Sequence, residues 1–327
     1  MTMCNSYPRL LADIGGTNAR FAIETAPSQI RHQKTLAAQD FPQLIDAIDY
    51  FLTSENQKAI QHVAIAIANP VTSDTIKMTN HHWSFSIQQM KSDLQAKTLL
   101  IINDFTAQAL AIPAISSEHL LAIGSPLPTS VDAMLPIAVV GPGTGLGVSG
   151  LIPNGQGQMI ALAGEGGHVS FSPRDAVERE LLAFAEEKFQ GHVSAERLLR
   201  GEGLTLLYEF FAKKAGISQH KKKTPAEVTH GALVQQDGIC LTVLSRYCRM
   251  LGDTCANVAL TIGATGGVYL CGGIVPRFVD FLRQSDFRAC FEDKGRFATC
   301  MKKIPVYVVN HDNPGLLGAS MALKNHL

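Results

Sequence analysis

The sequence contains no apolar run near the roughly 18 residues that a membrane-spanning helix needs. Its N-terminal segment, M-T-M-C-N-S-Y-P-R, is polar and has no signal-peptide core. The seven cysteines form no C-x-x-C pair, and their odd number is typical of reduced thiols. These absences argue against a membrane protein and against a secreted, disulfide-stabilised one, so we expect a cytoplasmic protein with no membrane partner.

An excess of charge of one sign is also absent. Lys and Arg together number 28, as do Asp and Glu, so the formal net charge is zero. A nucleic-acid-binding protein would carry a basic excess, and we therefore expect no nucleic-acid partner.

Hydrophobic residues make up 46% of the sequence, which indicates a globular chain. Its 327 residues are too many for one ordinary core. Two domains are predicted.

Neither of two common nucleotide-binding motifs occurs in its required context. The string G-x-x-x-x-G-K-[ST] is missing, so there is no Walker-A loop. The glycines at 145, 147 and 150 match G-x-G-x-x-G as letters. That motif must open a helix, whereas residues 148–152 have the pattern of a strand. This mismatch disfavours a dehydrogenase.

Short apolar strands alternate with helical periods along the chain, which indicates an α/β fold. Ser172 with Pro173 predicts the start of a helix that stops at Gly191, and Ser194 caps a short helix that Gly201 ends. The other predicted strands are 10–14, 21–23, 63–68, 99–102, 137–140, 148–152, 268–271 and 306–309, and the other predicted helices are 42–52, 87–94, 106–112, 239–262 and 314–323.

Two glycine turns, at 15–16 and 141–147, each join two strands, so the chain has a weak internal repeat. Glycine allows positive φ and exposes consecutive N–H groups, which form an anion site suited to phosphate. Asp13 beside the first turn would repel phosphate unless a cation such as Mg²⁺ lies between them. Gly272 and Gly273 follow another strand end, where α/β proteins bind ligands. The pattern favours nucleotide binding, and plain tight hairpins are the alternative.

Four ionisable side chains are candidates for chemistry. Asp104 lies between a strand and a helix, where an ionised carboxylate can accept a hydroxyl proton, and the alternative is a helix N-cap. Glu165 and His168 lie in a glycine-flanked loop, and Glu196 lies early on a capped helix. Buried acidic groups need partners, and sugar hydroxyls are suitable ones. Surface or capping charges are the alternative for these three.

Several long motifs, in this order and spacing, resemble the bacterial glucokinase family from Leu11 to about Leu323. They are A-D-I-G-G-T-N-A-R, I-N-D-F-T-A, G-P-G-T-G-L-G-V, G-E-G-G-H-V, G-H-V-S-A-E-R, C-G-G-I-V-P-R, F-E-D-K-G-R-F and H-D-N-P-G-L-L-G. The resemblance implies an actin-like ATPase (ribonuclease H-like) fold with two α/β domains around a central cleft. We place the small domain at 1–114 and 311–327 and the large one at 115–310. The family also implies a homodimer.

The resemblance further implies ATP- and Mg²⁺-dependent phosphorylation of D-glucose at O6. It assigns Asp104 as the catalytic base and makes Asn103, Asp104, Glu165, His168 and Glu196 the sugar ligands. Asp13 would position Mg²⁺ through water. The implied nucleotide-binding residues are Ala12, Asp13, Ile14, Gly15, Gly16 and Thr17 (phosphate 1), Gly143, Thr144 and Gly145 (phosphate 2), and Gly272 and Gly273 (adenosine).

The related repressor–kinase group of sugar kinases differs at two points. That group carries a cysteine-rich zinc motif after its G-H segment, and none follows His168, so zinc is not implied. A repressor would need a helix-turn-helix before the first hairpin, and the nine residues ahead of Leu10 are too few. An enzyme is therefore favoured over a sugar-binding regulatory protein of that type. A kinase for another hexose stays an open alternative.

Overall fold

A computed structural model describes residues 6–57, 60–79, 81–124, 135–217 and 221–327. The chain divides into two compact units, one of residues 1–115 with 311–327 and one of residues 116–310. Each unit has its own sheet and its own hydrophobic core. The first five residues of the polar N-terminal segment lie outside the described residues.

The first unit is a five-stranded sheet in the order β3-β2-β1-β4-β7, with a separate β5-β6 pair. Strand β1 pairs antiparallel with β2 and parallel with β4, which is itself parallel to β7. Before residue 116 the elements are β1 (Arg9–Ile14), β2 (Asn18–Ala26), β3 (Gln29–Ala37), α1 (Leu44–Ser54), β4 (His62–Ile67), β5 (Thr75–Lys77), β6 (Ser84–Ser86), α2 (Ile87–Asp93), β7 (Thr98–Asn103) and α3 (Asp104–Ala111).

The second unit is a six-stranded sheet in the order β11-β10-β9-β12-β13-β8. Its elements are β8 (Leu120–Ala122), β9 (Ile137–Pro142), β10 (Leu146–Pro153), β11 (Met159–Ala161), α4 (Ala176–Phe189), α5 (Ala195–Leu199), α6 (Gly201–Lys214), α7 (Pro225–Leu233), α8 (Gly238–Ile262), β12 (Gly267–Leu270), α9 (Val279–Gln284), α10 (Phe287–Glu292), α11 (Ala298–Met301) and β13 (Val306–Val309). The chain then returns to the first unit with α12 (Pro314–His326).

The two sheets share one topology. In both, the first strand of a glycine hairpin pairs antiparallel with the second and parallel with the next strand of the sheet. Strands β9, β10, β11, β12 and β13 take the same order as β1, β2, β3, β4 and β7, and β8 is an addition. The internal repeat predicted from the two glycine turns is therefore confirmed as a repeat of topology.

The faces of the first sheet follow from the two-residue period of a strand. Leu10, Ala12 and Ile14 of β1 belong to the core that includes Leu44 and Phe51 of α1. Leu11 points to the opposite face and packs in a cluster with Leu316, Ala319 and Leu323 of α12. The C-terminal helix therefore covers the face of β1 that also carries Asp13.

One predicted helix boundary in the second unit is wrong, the start at Ser172. Helix α4 begins after Asp175, whose side chain accepts the N–H of Glu178, and not at Ser172. The chain stays extended around Phe171 because its N–H donates to Val193 O at 2.9 Å. Helix α5, capped by Ser194, ends at Leu199 just ahead of Gly201, as predicted, and Gly201 then begins α6. A Cβ on Gly203 would collide with the carbonyl of residue 198 in α5. Gly203 therefore allows α6 to pack closely on α5.

The long helix α8 begins at Gly238, one residue before the predicted start at Ile239. Cys248 and Cys255 are both fully buried in the core of the second unit, as helical packing predicted. Burial raises the pKa of the Cys248 thiol to about 12, so it stays protonated. None of the helices in the described parts of the chain is long and apolar enough to cross a membrane.

Candidate active site

Asp13 lies near the end of β1, on the face covered by α12. A Cβ on Gly315, in the first turn of α12, would lie 2.7 Å from Cγ of Asp13, so the helix approaches this carboxyl closely. Arg20 Nη1 lies 3.3 Å from Asp13 Oδ2. Burial raises the pKa of the Asp13 carboxyl, and the charge of Arg20 opposes that rise. The carboxyl is thus held between α12 and Arg20, directly before the first glycine turn.

The first glycine turn, residues 15–17, is closed by its own backbone. Gly15 N–H donates to Asn18 O at 2.9 Å, which uses the first of the candidate phosphate-binding N–H groups. The N–H groups of Gly16 and Thr17 make no hydrogen bond within the described part of the chain. Two consecutive N–H groups therefore remain for an anion.

The expected positive φ at the turn glycines is wrong for Gly15 and Gly143, neither of which is left-handed. Each donates its N–H within its own turn, and this closure needs no left-handed residue there. Gly272, in contrast, has φ of 84°, and a Cβ on it would lie 2.5 Å from Pro142 O. Gly272 thus brings the end of β12 against the end of β9, immediately before the second turn.

The second glycine turn, residues 143–145, is held at its first residue. Gly143 N–H donates to Gly145 O at 2.8 Å, and Gly143 O accepts the N–H of Gly201 at 2.9 Å. The N–H groups of Thr144 and Gly145 make no hydrogen bond among the described residues. This turn therefore repeats the first one in leaving two consecutive N–H groups unused.

Asn103 and Asp104 lie where β7 meets α3, and the structure separates their roles. Asn103 is the N-cap, because its Oδ1 accepts the N–H groups of Phe105 at 2.9 Å and Thr106 at 3.1 Å. Its amide nitrogen donates to Asp104 Oδ1 at 3.0 Å. The alternative in which Asp104 caps the helix is therefore wrong. Asp104 is the first residue of α3.

Glu165 precedes a single helical turn, residues 166–168, which ends at His168 and packs on the start of β10. Both side chains are exposed, so the expectation that burial demands a partner does not hold for them. His168 N–H donates to Glu165 O at 3.0 Å, which fixes the loop. A Cβ on Gly167 would collide with Leu146 O. The loop therefore lies against the residue that follows the second glycine turn.

Glu196 joins this loop to the second turn. Its Oε2 accepts the N–H of Leu146 at 3.0 Å and lies 3.9 Å from His168 Nε2. Its placement depends on backbone pairing, since Ala195 N–H donates to Val169 O at 2.9 Å. The structure thus brings Glu165, His168 and Glu196 together with the 143–145 turn.

Comparison with known proteins identifies the chain. The family model described as Glucokinase matches residues 10–326. The chain belongs to the glucokinase family. A glucokinase of Campylobacter jejuni subsp. doylei is 51% identical over 322 residues, covering 98% of this chain and 96% of the relative. The solved glucokinase from an Antarctic psychrotroph is 33% identical, with a TM-score of 0.88 over 97% of this chain and 99% of that one.

A more distant structure supports the fold alone. A ROK family glucokinase from Streptomyces griseus, solved in complex with glucose and AMPPNP, is 17% identical, with a TM-score of 0.65 over 98% of this chain and 100% of that one. The expected actin-like ATPase fold is confirmed. Membership of the glucokinase family also makes the chain an ATP-dependent phosphotransferase acting on a hexose, as expected.

Two glycines of this glucokinase-family chain were missed as parts of the site. Gly201 fastens the second turn through Gly143, and Gly167 lets the 165–168 loop reach Leu146. The sequence carried a signal for Gly167 only, which lies in a loop with two other glycines, whereas Gly201 acts through a backbone N–H that any residue except proline would supply. The partners in those approaches are distant in sequence and could not be identified from it.

The donor set fits magnesium bound with a nucleotide. No group of three or more His, Cys, Asp or Glu side chains arranged for a metal ion occurs in the ranges that the structure describes. Mg²⁺ does not require such a group, because it keeps several waters and uses one or two carboxylates together with substrate phosphates. The Asp13 carboxyl beside the open N–H groups of the first turn meets that requirement.

Proposed function

We propose that the chain transfers the γ-phosphoryl group of ATP to O6 of D-glucose, giving glucose 6-phosphate and ADP. The observation that carries this proposal is the connected set in the second unit. There the 143–145 turn, with two open N–H groups, is hydrogen-bonded through Leu146 to Glu196, and His168 lies 3.9 Å from the same carboxylate. An anion site and a polyol site thus share one residue. The glucose and AMPPNP bound to the Streptomyces griseus relative agree with this assignment.

The sugar ligands we propose are Asn103, Asp104, Glu165, His168 and Glu196. Carboxylates accept hydrogen bonds from hydroxyl groups, and an imidazole can accept or donate. Glu165 and His168 are exposed and available to a ligand. Glu196 uses Oε2 for Leu146, which leaves Oε1 for a sugar hydroxyl.

Asp104 is the proposed general base. Asn103 caps α3 and donates to Asp104 Oδ1, so the carboxylate is oriented by its neighbour and by Phe105 N–H at 3.0 Å. It accepts the proton of the O6 hydroxyl as that oxygen attacks the γ-phosphorus in line. Phosphoryl transfer has a loose transition state, so most of the rate enhancement comes from positioning and charge stabilisation.

The phosphates are proposed to bind the two glycine turns, within Ala12–Thr17 and Gly143–Thr144–Gly145, while Gly272 and Gly273 flank the adenosine. Backbone N–H groups in such turns stabilise phosphate oxygens. Asp13 is proposed to hold Mg²⁺ through water. Bound there, Mg²⁺ would neutralise negative charge on the phosphates. A cytoplasmic location and a homodimer stay predictions from the sequence.

Substituting valine for Gly15 or Gly143 tests the phosphate sites. Neither residue has positive φ, and a Cβ would lie 3.6 Å or more from other atoms, so both variants should fold. The branched side chain would cover the open N–H groups. A hydrogen bond to a charged group contributes about 1.5–3 kcal/mol, so KM for ATP should rise about tenfold or more. KM for glucose should change far less in steady-state assays.

Gly238→Val is the matched control, since Gly238 has negative φ, open space and a position away from both turns. It should keep the wild-type KM for ATP. If the folded Gly15→Val and Gly143→Val variants behave like this control, the two-turn phosphate site is wrong.

A further inference from the structure

We propose that Glu196 is a positioning residue that couples glucose binding to nucleotide binding, through its hydrogen bond to the N–H of Leu146. The inference rests on the proposed function, because it takes the 143–145 turn as a phosphate site and Glu196 as a sugar ligand. It adds that the sugar sets the geometry of that turn.

One carboxylate oxygen of Glu196 lies near both Leu146 and His168. Oε2 accepts the N–H of Leu146 at 3.0 Å and lies 3.9 Å from His168 Nε2, and the side chain is only 17% exposed. Oε1 makes no hydrogen bond within the described part of the chain. A sugar hydroxyl bound to Oε1 or to His168 therefore acts on a carboxylate that is already fastened to the turn.

The turn is in close contact with this carboxylate. A Cβ on Gly145 would lie 2.7 Å from Glu196 Oε2, so only glycine leaves room for the carboxylate here. The carbonyl oxygen of Leu146 is also in close contact with Gly167 of the 165–168 loop, since a Cβ on Gly167 would collide with it. Rotation of Glu196, or movement of the loop, must therefore move Leu146 and the end of the turn.

The segment 196–201, which begins with Glu196, also holds the first residue of the 143–145 turn. Arg200 N–H donates to Glu196 O at 2.9 Å, and Gly201 N–H donates to Gly143 O at 2.9 Å. Residues 196–201 thus hold Gly143 by backbone and Leu146 by side chain. The open N–H groups of Thr144 and Gly145 lie between these two fixed points, so their direction depends on Glu196.

Calorimetry of the full chain tests the coupling. The dissociation constant of AMPPNP with Mg²⁺ is measured with and without saturating D-glucose, and the ratio is the coupling factor. Coupling between sites is typically about 5- to 150-fold and must be reciprocal. We expect the wild type to show at least about fivefold coupling on this scale. AMPPNP should strengthen glucose binding by the same factor.

Glu196→Asp keeps the charge but is one methylene shorter, so it cannot reach both Leu146 and the sugar. Its coupling factor should fall below about twofold, which is outside the typical range for coupled sites. Gly145→Ala displaces the carboxylate from the turn side and should reduce the factor in the same way. Glu187→Gln, at an exposed position of α4 outside both proposed sites, is the matched control. At saturating glucose it should keep the wild-type factor.

Hydrogen exchange gives a second measurement that needs no nucleotide. Glucose alone should slow exchange of the Leu146 amide in the wild type and not in Glu196→Asp. Wild-type coupling in Glu196→Asp, equal loss in Glu187→Gln, or a factor of one in the wild type would overturn the inference. If the wild type binds both ligands with a factor of one, the proposed function stands. If it binds neither glucose nor AMPPNP, the proposed function fails as well.

Discussion

Replacing Asp104 by Asn should lower kcat by about 10²- to 10⁴-fold, the usual contribution of a general base. The amide keeps the shape of the carboxylate and can still accept the hydrogen bonds from Asn103 and Phe105. It cannot accept the O6 proton. Because the lost interaction belongs mainly to the transition state, KM for glucose should change much less. Initial rates over a glucose series, with the thermal midpoint of the same preparation, provide the measurement.

The thermal midpoint should fall only slightly, because Asn103 and not Asp104 caps α3, and the charge lost from the first turn contributes about 0.3–1 kcal/mol. Asp93→Asn, at an exposed acid of the same unit, is the control for a lost charge and should keep both kcat and stability. A folded Asp104→Asn variant with kcat within about tenfold of the wild type would remove Asp104 from the mechanism, given the loss expected for a general base.

Glu165→Gln should weaken glucose binding by about 1–3 kcal/mol, the cost of a polar group left unpaired once the sugar covers it. This corresponds to a rise of about 5- to 150-fold in the dissociation constant. Glutamine keeps the size of the side chain but presents a donor where the carboxylate has only acceptors. Isothermal titration with D-glucose measures the change without turnover.

The variant Glu187→Gln, at an exposed position of α4, makes the same chemical change away from the site and should bind glucose like the wild type. KM for ATP in Glu165→Gln should stay close to the wild-type value. Unchanged glucose affinity in Glu165→Gln would place the sugar site elsewhere.

The sheets were predictable because their signals are local. Residues 10–14 and 137–140 are short apolar runs broken by glycine, and both became first strands of antiparallel hairpins. The pairing of β9 with β12 on its other side was not predicted, because nothing in the sequence indicated that β12 lies parallel to it. Strand β3, with mostly polar residues at a sheet edge, had no such signal and was missed.

Helix starts were less predictable, because several neighbouring residues could cap. Ser172 and Asp175 both suit an N-cap, and tertiary pairing of Phe171 with Val193 decided for the later one. Asn103 and Asp104 posed the same ambiguity, and in the structure Asn103 is the cap, since its side chain accepts the N–H groups of Phe105 and Thr106. Propensity alone treats asparagine and aspartate as equal caps.

The candidate site was predictable as a set of residues but not as an arrangement. The motif resemblance named Glu196 and the 143–145 turn, yet nothing in their spacing showed that Glu196 Oε2 accepts the N–H of Leu146, 50 residues away. The contact of Asp13 with Gly315 likewise depends on α12 returning to the first unit. Such long-range contacts follow from packing, and the contact of Glu196 with Leu146 carries the inference on coupling.

Identification of the product tests most directly whether the chain transfers phosphate from ATP to O6 of D-glucose. The purified protein is incubated with ATP, Mg²⁺ and ¹³C-labelled D-glucose, and the sugar phosphate is examined by ³¹P and ¹³C NMR. We predict one glucose 6-phosphate, with phosphorus coupled to C6, for each ATP consumed, and no transfer to 6-deoxy-D-glucose. Phosphate on another oxygen, turnover with a different hexose but not with D-glucose, or ATP hydrolysis without a sugar phosphate would contradict the account.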